Sequence, residues 1–314
     1  MPVLRPSGSD FTSFVKAAAQ YVPAGAAAKA SKSGGVSVPR AGLGAVVRTS
    51  RVGALASPTT SAVVINGVTP PVASAPAAPA APPVFSPMSI GGLTLWLDGA
   101  DPAATGVAPA NNSTVATWYD KSGSGYNASG GVSPTWSSNA VQFDGTTTYL
   151  TTSCPAGNNT AAYFFVWKQS SISGSNLCVL GGNALGTAAF FTNNAAPVFG
   201  DWNANVLGLA VSISIGATYI GSAGASNGTL SYGLNGDSMT SVSYTLPGTG
   251  TFTVGAGYAD NRAKLLGSIN EVLVYNTALE TTPRQKIEGY LAWRWGLQSS
   301  LPPGHPYKTA APTP

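Results

Sequence analysis

The sequence predicts an antiparallel β-sandwich with one C-terminal helix, preceded by a long, low-complexity N-terminal arm. Three observations indicate this organisation. From residue 89 onward, short apolar stretches alternate with turns rich in Gly, Asn and Ser, which is typical of many short strands. Near the C-terminus, apolar residues recur at helical spacing. Before residue 86, Ala, Pro, Ser and Gly dominate, and such a segment has too little apolar surface to build a core.

Composition and charge support a division into an arm (residues 1–85), a sandwich (86–300) and a Pro-rich tail (301–314). Only 8% of the 314 residues are charged, against about 25% in an average globular protein. The arm carries seven cations and one acid, a net charge of +6, whereas the remainder carries eight cations and ten acids. A turn-rich, weakly charged chain of this kind is typical of a protein exposed outside a cell or on a particle.

The arm begins with a predicted short helix over residues 11–22. Ser9 or Asp10 can cap it, and Pro23 stops it. Its apolar face is formed by Phe11, Phe14, Val15, Ala18 and Val22. Because an isolated helix of this length is marginal in water, we expect Phe11, Phe14 and Val15 to dock on a partner.

The rest of the arm predicts an extended segment that gains order only on other surfaces. Residues 74–83 read SAPAAPAAPP, a polyproline-type spacer. The cations stand singly at Lys29, Lys32, Arg40, Arg48 and Arg51. This spacing favours contacts with neighbouring proteins over binding of nucleic acid, since arms that package genomes concentrate their charge.

Strands are predicted at intervals along the sandwich segment, and the stretch 161–168 is the most apolar of them. They lie at residues 93–97, 115–119, 140–143, 148–150, 161–168, 187–192, 206–213, 217–222, 228–233, 239–245, 251–256 and 266–275. The closing helix follows, with Thr281 or Thr282 as its cap and Gly296 at its end. Its apolar stripe is Ile287, Leu291 and Trp295. Beyond it we expect the tail LPPGHPYK to be extended.

Two segments resemble a known family. The first, at residues 93–150, contains LTLWLDGAD, VATWYDKSGSGYNAS and AVQFDGTTTYL. The second, at residues 267–308, contains GSINEVLVYNTALE and YLAWRWGLQSSLPPGHPYK. They resemble the opening and closing segments of laminin-G-like jelly-roll domains in the concanavalin A-like lectin/glucanase superfamily. Such domains occur in structural proteins of large DNA viruses and in secreted proteins of marine bacteria. The resemblance implies a jelly-roll sandwich, although residues 152–266 contain no matching motif.

The resemblance and the arm together predict a non-enzymatic virion structural protein. It would be a minor capsid or cementing component of a large DNA virus, anchored to other capsid proteins through residues 1–85. The alternative is an extracellular, lectin-like glycan-binding or adhesion module of a secreted or phage-borne protein. A lectin needs no basic arm of this length, which favours the shell component.

Catalysis is not expected, and no catalytic residue is assigned. Glucanases of this fold use paired carboxylates in an E-x-D-x-x-E run, but Glu271 stands alone in its strand. A Ser-His-Asp triad would have to use His305, the only histidine, which lies in the Pro-rich tail. No apolar run reaches the roughly 20 residues of a membrane span.

Two low-specificity sites are predicted. Asp98, Asp101, Asp120 and Asp144 are candidate Ca²⁺ ligands, but each also has turn chemistry, and we favour turn capping. No other cofactor is expected. Relatives often carry an Asp where Thr148 stands, which weakens a metal site there. Trp136 and Trp202, beside Pro and Asp, are the tryptophans that we expect to be exposed and able to stack on a sugar. Cys154 and Cys178 are expected to be free buried thiols rather than a disulfide.

Overall fold

The computed structural model describes residues 84–156, 159–171, 175–184, 187–193, 196–200, 207–246, 248–257 and 263–314. Within these residues, two antiparallel β-sheets pack face to face and one α-helix lies on the outside. The predicted fold class is thereby confirmed. The arm, with its predicted helix and its cations from Lys29 to Arg51, lies outside the described residues.

Sixteen strands and one α-helix are described in chain order. The first eight strands are β1 (Leu93–Asp98), β2 (Thr117–Trp118), β3 (Ala128–Ser129), β4 (Thr135–Ser137), β5 (Ala140–Asp144), β6 (Leu150–Pro155), β7 (Thr160–Gln169) and β8 (Ser175–Gly182). The others are β9 (Ala189–Asn193), β10 (Ala196–Gly200), β11 (Leu207–Gly208), β12 (Thr218–Ser226), β13 (Thr229–Leu234), β14 (Thr240–Ser243), β15 (Thr251–Val254) and β16 (Leu266–Tyr275). The helix is α1 (Thr281–Arg294).

Each sheet has eight strands. Sheet A runs β14-β13-β12-β7-β16-β5-β4, and β1 pairs with β16 on the same edge as β5. Sheet B runs β11-β10-β9-β8-β15-β6-β3-β2. Strands that are distant in sequence pair side by side, so the two segments that carry the resemblance meet at the β1–β16 ladder.

The sequence of strand β7 is apolar throughout because both faces of the strand are buried. Tyr163, Phe165 and Trp167 point into the core between the sheets, while Phe164 and Val166 point outward beneath α1. A strand that is buried on both faces reads as a continuous apolar run instead of an alternating one. The centroid of the Tyr163 ring lies 5.2 to 5.9 Å from ring centroids of sheet B, those of Phe190, Phe199 and Phe252.

Helix α1 covers the outer face of sheet A. Ile287 and Leu291 are fully buried there against Phe164, Leu273 and other residues of the sheet. The helix begins at Thr281, so Glu280 is its N-cap residue instead of the predicted Thr281 or Thr282. Trp295 caps the C-terminus, and Gly296 follows in the left-handed conformation (φ +70°) that favours glycine.

Two boundaries differ from the sequence-based prediction. Phe85, assigned to the arm, is buried at 3% exposure and packs its ring 5.9 Å from that of Tyr290. The tail is a series of turns, not an extended path, with backbone bonds from His305 to Pro302 and from Lys308 to His305. Proline restricts φ without preventing turns, and burial of Leu301 and His305 holds the turns in place.

Several strands of the structure were not predicted from the sequence. Strands β3 and β4 have only two and three residues, β8 ends in two glycines, and β10 contains a proline and a glycine within five residues. The strand predicted at 206–213 shrinks to Leu207–Gly208, because residues 208–215 are mostly solvent-exposed. Cys154 and Cys178 are both free and buried, as predicted.

Candidate functional site

A buried charge cluster lies under the C-terminal end of α1, where the two family-like segments meet. Its centre is Glu271 of β16, which is 0% exposed and faces Asp98 of β1 in the strand register. Around this pair stand side chains from the first segment and the helix: Trp96, Asp101, Lys121, Tyr290, Arg294 and Trp295. In the sequence Glu271 stands alone in its strand, but in the fold it lies within a cluster of charged and aromatic side chains.

Four donors occupy both oxygens of Glu271. Oε1 accepts hydrogen bonds from Trp96 Nε1 (2.8 Å) and Tyr290 Oη (2.9 Å). Oε2 accepts one from Trp295 Nε1 (2.6 Å) and lies 3.2 Å from Arg294 Nε. A buried carboxylate normally needs such partners to offset its lost hydration. No oxygen of Glu271 is left to approach a substrate.

Asp98 joins the two cations of the cluster. Its Oδ2 lies 2.9 Å from Lys121 Nζ and 2.7 Å from an Arg294 Nη atom, and its Oδ1 accepts from the Ala100 amide. Lys121 also reaches Asp101 at 3.1 Å. The cluster therefore links β1, the loop after β2, β16 and α1.

The electrostatics of the cluster follow from burial and from three acids sharing two cations. Burial raises the pKa of Glu271 to about 7, an effect that Arg294 partly offsets and that neighbouring Asp98 adds to. Burial alone would lower the pKa values of Arg294 and Lys121, but their acidic partners outweigh it and raise both. For Asp101, burial works upward, and hydrogen bonds from Gly106, Lys121 and Thr105 bring its pKa below the ordinary value. The cluster is arranged to hold elements together.

The other candidate acids cap their own loops. Asp120 accepts hydrogen bonds from the amides of Trp96, Ser122 and Tyr126. Asp144 Oδ1 accepts from three successive amides, those of Thr146, Thr147 and Thr148, at 2.8 to 2.9 Å. The hydroxyl of Thr148 also donates to Asp144.

The calcium hypothesis therefore lacks a ligand cluster. Donors from the protein occupy the carboxylates of Asp98, Asp101, Asp120 and Asp144. Across the part of the chain that the structure describes, no group of three or more His, Cys, Asp or Glu side chains could hold a metal ion. The four aspartates are turn and ion-pair residues, the interpretation that their sequence context favoured.

The expectation of an exposed Trp136 is wrong. Its ring packs in the core between the sheets at 5% exposure, and its Nε1 donates to the Gly99 carbonyl at 2.7 Å. Pairing of β4 with β5 places the indole on the inner face, so it is not available to a sugar. Trp202 lies outside the described residues.

A second polar group fastens the tail to α1. Glu288, fully buried, accepts from Arg284 (Nη1 to Oε1, 2.6 Å), and its Oε2 lies 3.3 Å from His305 Nε2. His305 Nδ1 accepts from the Tyr307 amide. Lys308 Nζ donates to the carbonyls of Ser299 and Leu301. His305 is thus a packing residue of the tail.

An open groove of about 350 Å³ lies on the outer face of sheet A beside the first turn of α1. Its floor is built of small residues from adjacent strands: Gly224, Ser226, Ser231 and Ser241. Met239, Leu279, Glu280 and Arg284 border it. The inner-face partners of these strands, such as Ala223 and Leu230, belong to the core, so strand alternation points the serines outward.

Sequence reasoning missed both the cluster and the groove. Lys121, Arg294 and Tyr290 were not singled out because their partners lie as far as 196 residues away in sequence. One signal was present: Asp98, Glu271 and Arg294 each interrupt an apolar stretch of the two family-like segments. A charge inside an apolar motif usually has a buried partner.

Comparisons with known proteins bear on the fold. No protein-family model matches the chain, and no curated protein matches it in sequence. Among solved structures, the sialidase of Trypanosoma rangeli is 14% identical with a TM-score of 0.50. The match covers 65% of this chain and 33% of the sialidase, so the chain spans about a third of that protein's length.

Two other matches have lower TM-scores. A heptameric SAP-like pentraxin from Limulus polyphemus is 13% identical, with 48% of this chain and 81% of the pentraxin covered and a TM-score of 0.36. Domain 4 of an extracellular arabinanase from Geobacillus stearothermophilus is 14% identical, with 61% and 96% covered and a TM-score of 0.38. At TM-scores this low, neither match supports a conclusion about this chain.

The described residues therefore form a concanavalin-like jelly-roll β-sandwich, on the strength of the sheet topology and the sialidase match. At 14% identity the likeness concerns the fold alone. None of the described helices is long and apolar enough to cross a membrane.

Proposed function

We propose that this chain is a non-catalytic, lectin-like module that binds glycans outside the cell. The observation that carries the proposal is the groove beside α1, whose volume of about 350 Å³ falls within the range of roughly 300–1,000 Å³ typical of small-ligand sites. Its hydroxyl-rich floor has the chemistry that sugar hydroxyls require, because each serine both donates and accepts.

The chemistry of the acids supports a binding role over a hydrolytic one. Asp98 and Glu271 are paired carboxylates, but both are buried and bound to internal cations and indoles. Most glycosidases need one carboxyl group free to protonate a leaving group and a second at the opposite side of the sugar. The sialidase shares the fold only, so its action on glycans enters as an analogy.

Binding to a glycan array by the full chain tests the proposal. We expect retention of at least one oligosaccharide class, with no release of reducing sugar. Ser241→Tyr, which fills the groove from an exposed position of β14, should abolish retention. Ser243→Tyr is the matched control, because it lies two residues along the same face of β14, beyond the lining of the groove. Retention that survives Ser241→Tyr, or hydrolysis of a bound glycan, would contradict the proposal.

A second candidate function, an arm-anchored component of a virion shell, rests on the sequence of the arm. Residues 1–85 carry a net charge of +6, and such a segment gains order by lying on other surfaces. In this proposal Phe11, Phe14 and Val15 dock in a neighbouring capsid protein. Lys29, Lys32, Arg40, Arg48 and Arg51 contact further subunits along the extended arm.

Incorporation into particles tests this second candidate. Deleting residues 1–83 should abolish incorporation. Replacing both Phe11 and Phe14 by Ser should weaken it more than replacing Lys29 and Lys32 by Gln, because apolar burial contributes more than exposed charge. Normal incorporation of the truncated chain would rule out the shell component and leave the glycan-binding module.

A further inference from the structure

The charge of the groove indicates which glycans it can accept. Among the described residues that line it, the charged ones are Glu280 and Arg284. The Arg284 guanidinium lies 2.6 Å from Glu288, and Glu288 in turn contacts His305. Because Glu288 is fully buried, moving Arg284 to a ligand would leave a buried carboxylate with less compensation. The positive charge of Arg284 is therefore already balanced by Glu288.

Glu280 gives the rim a free negative charge. It is exposed, and its side chain makes no capping hydrogen bond with α1 although it occupies the N-cap position. A ligand carboxylate in the groove would face this acid, and the charge of the neighbouring Arg284 is already balanced by Glu288. Like charges placed together disfavour a ligand even where its other contacts fit.

The floor offers uncharged hydrogen-bonding groups. Ser226, Ser231 and Ser241 come from three adjacent strands, and within the described residues their hydroxyls have no hydrogen-bond partner. Met239 and Leu279 add an apolar border for the carbon face of a sugar.

We infer that the groove selects uncharged glycans, held by serine hydroxyls, and rejects glycans that end in a carboxylate-bearing sugar such as sialic acid. This inference rests on the proposed glycan-binding function and names its ligand class. It contrasts with the T. rangeli sialidase, whose structure is known in complex with sialic acid.

The test uses the full chain and an array of neutral oligosaccharides, each printed beside its sialylated form. We expect the neutral member of a pair to bind roughly tenfold tighter or more, since a like-charge contact costs on that order. Added salt should narrow the difference, because the repulsion involves an exposed acid. Glu280→Lys should reverse the preference, and Glu280→Gln should reduce it. Ser241→Tyr should abolish binding of both members, with Ser243→Tyr as the control.

The outcomes separate the two proposals. Preferential binding of sialylated glycans that Ser241→Tyr abolishes would overturn the inference and leave the glycan-binding module standing. A neutral preference that Glu280→Lys does not change would likewise overturn it, because the selectivity would then have another source. Absence of binding to every glycan would overturn the proposed function, and the inference with it.

Discussion

Burial raises the pKa of the Glu271 carboxyl group well above its ordinary value. In water its carboxyl group would be ionised at neutral pH, but in the fold it is fully buried beside Asp98. Two indoles, one phenol and one guanidinium supply its hydrogen bonds and charge. The single cation Arg294 is shared with Asp98, so the compensation for Glu271 is incomplete and its pKa rises to about 7.

We expect Glu271→Gln to flatten the dependence of stability on pH between about 4.5 and 7. The folded pKa is about 7 and the ordinary value 4.5, so in this window the folded chain holds a proton that the unfolded chain releases. Wild-type stability should therefore fall as pH rises through the window, by on the order of 3 kcal/mol from this residue. Urea unfolding at a series of pH values measures it.

Asp101 and Asp144 make stability change with pH in the opposite direction, so they cannot be the source of a fall in stability as pH rises from 4.5 to 7. Hydrogen bonds outweigh burial and lower both pKa values below the ordinary 3.8, so these residues lose their stabilising effect only in stronger acid. An identical pH slope in wild type and Glu271→Gln between pH 4.5 and 7 would show that Glu271 is ionised throughout.

Residue-level prediction from sequence succeeded where the chemistry is local. Asp144 accepts hydrogen bonds from groups within four residues of itself, which a turn pattern can reveal. Asp98 also binds Arg294, 196 residues away, and only the folded β1–β16 ladder brings them together. Trp136 was misjudged because its polar neighbours suggested exposure, whereas pairing with β5 turned it inward.

Helix α1 stabilises the sandwich by covering an apolar sheet face. Leu291 is fully buried between the helix and the sheet. We expect Leu291→Ala to lower the free energy of unfolding by about 2–5 kcal/mol, the range for a buried leucine. The exposed Thr282→Ala, in the first turn of the same helix, should change it by less than about 0.5 kcal/mol. Equal effects in chemical denaturation would mean that the helix does not cover a core.

The contribution of tail docking on sheet A to stability can be measured by comparing alanine substitutions at two glycines. Gly236 (φ +74°) and Gly123 (φ +90°) both adopt the left-handed conformation, so alanine at either should cost roughly 1–2 kcal/mol from backbone strain. At Gly236 an added Cβ would also lie 2.8 Å from Leu301 and 2.9 Å from His305, whereas Gly123 has open space.

Gly236→Ala should therefore destabilise the protein by about 1–3 kcal/mol more than Gly123→Ala, the usual cost of overpacking. Urea melts of the two variants measure the difference. The NMR signals of His305, the only histidine, should shift in the first variant alone. Equal costs and an unchanged histidine spectrum would show that the tail is not seated against this turn.

At the scale of elements, the two longest strands were predictable, whereas the very short β3 and β4 and the eight-residue β8 were not. Strand β16 and strand β7 each have ten residues and a strong apolar pattern. Strands of two or three residues, such as β3 and β4, are defined by their partners and carry too few residues for a period to emerge. The groove had no sequence signal, because serines and glycines in strands read the same whether they line a groove or a flat surface.

The whole chain combines a nearly neutral sandwich with a cationic arm. Truncated chains can test at which residue the folded sandwich begins. We expect a chain that begins at residue 84 to melt at the temperature of the full chain, because the arm has too little apolar content to stabilise a fold. A chain that begins at residue 87 should melt several degrees lower. It lacks Phe85, which is buried against Tyr290 of α1, and each kcal/mol is worth about 2–4 °C in a domain of this size. Phe85→Ala in the full chain should reproduce most of the drop. Equal melting temperatures for both truncated chains would place Phe85 outside the cooperative unit, whereas a drop already at residue 84 would show that the arm contributes to stability.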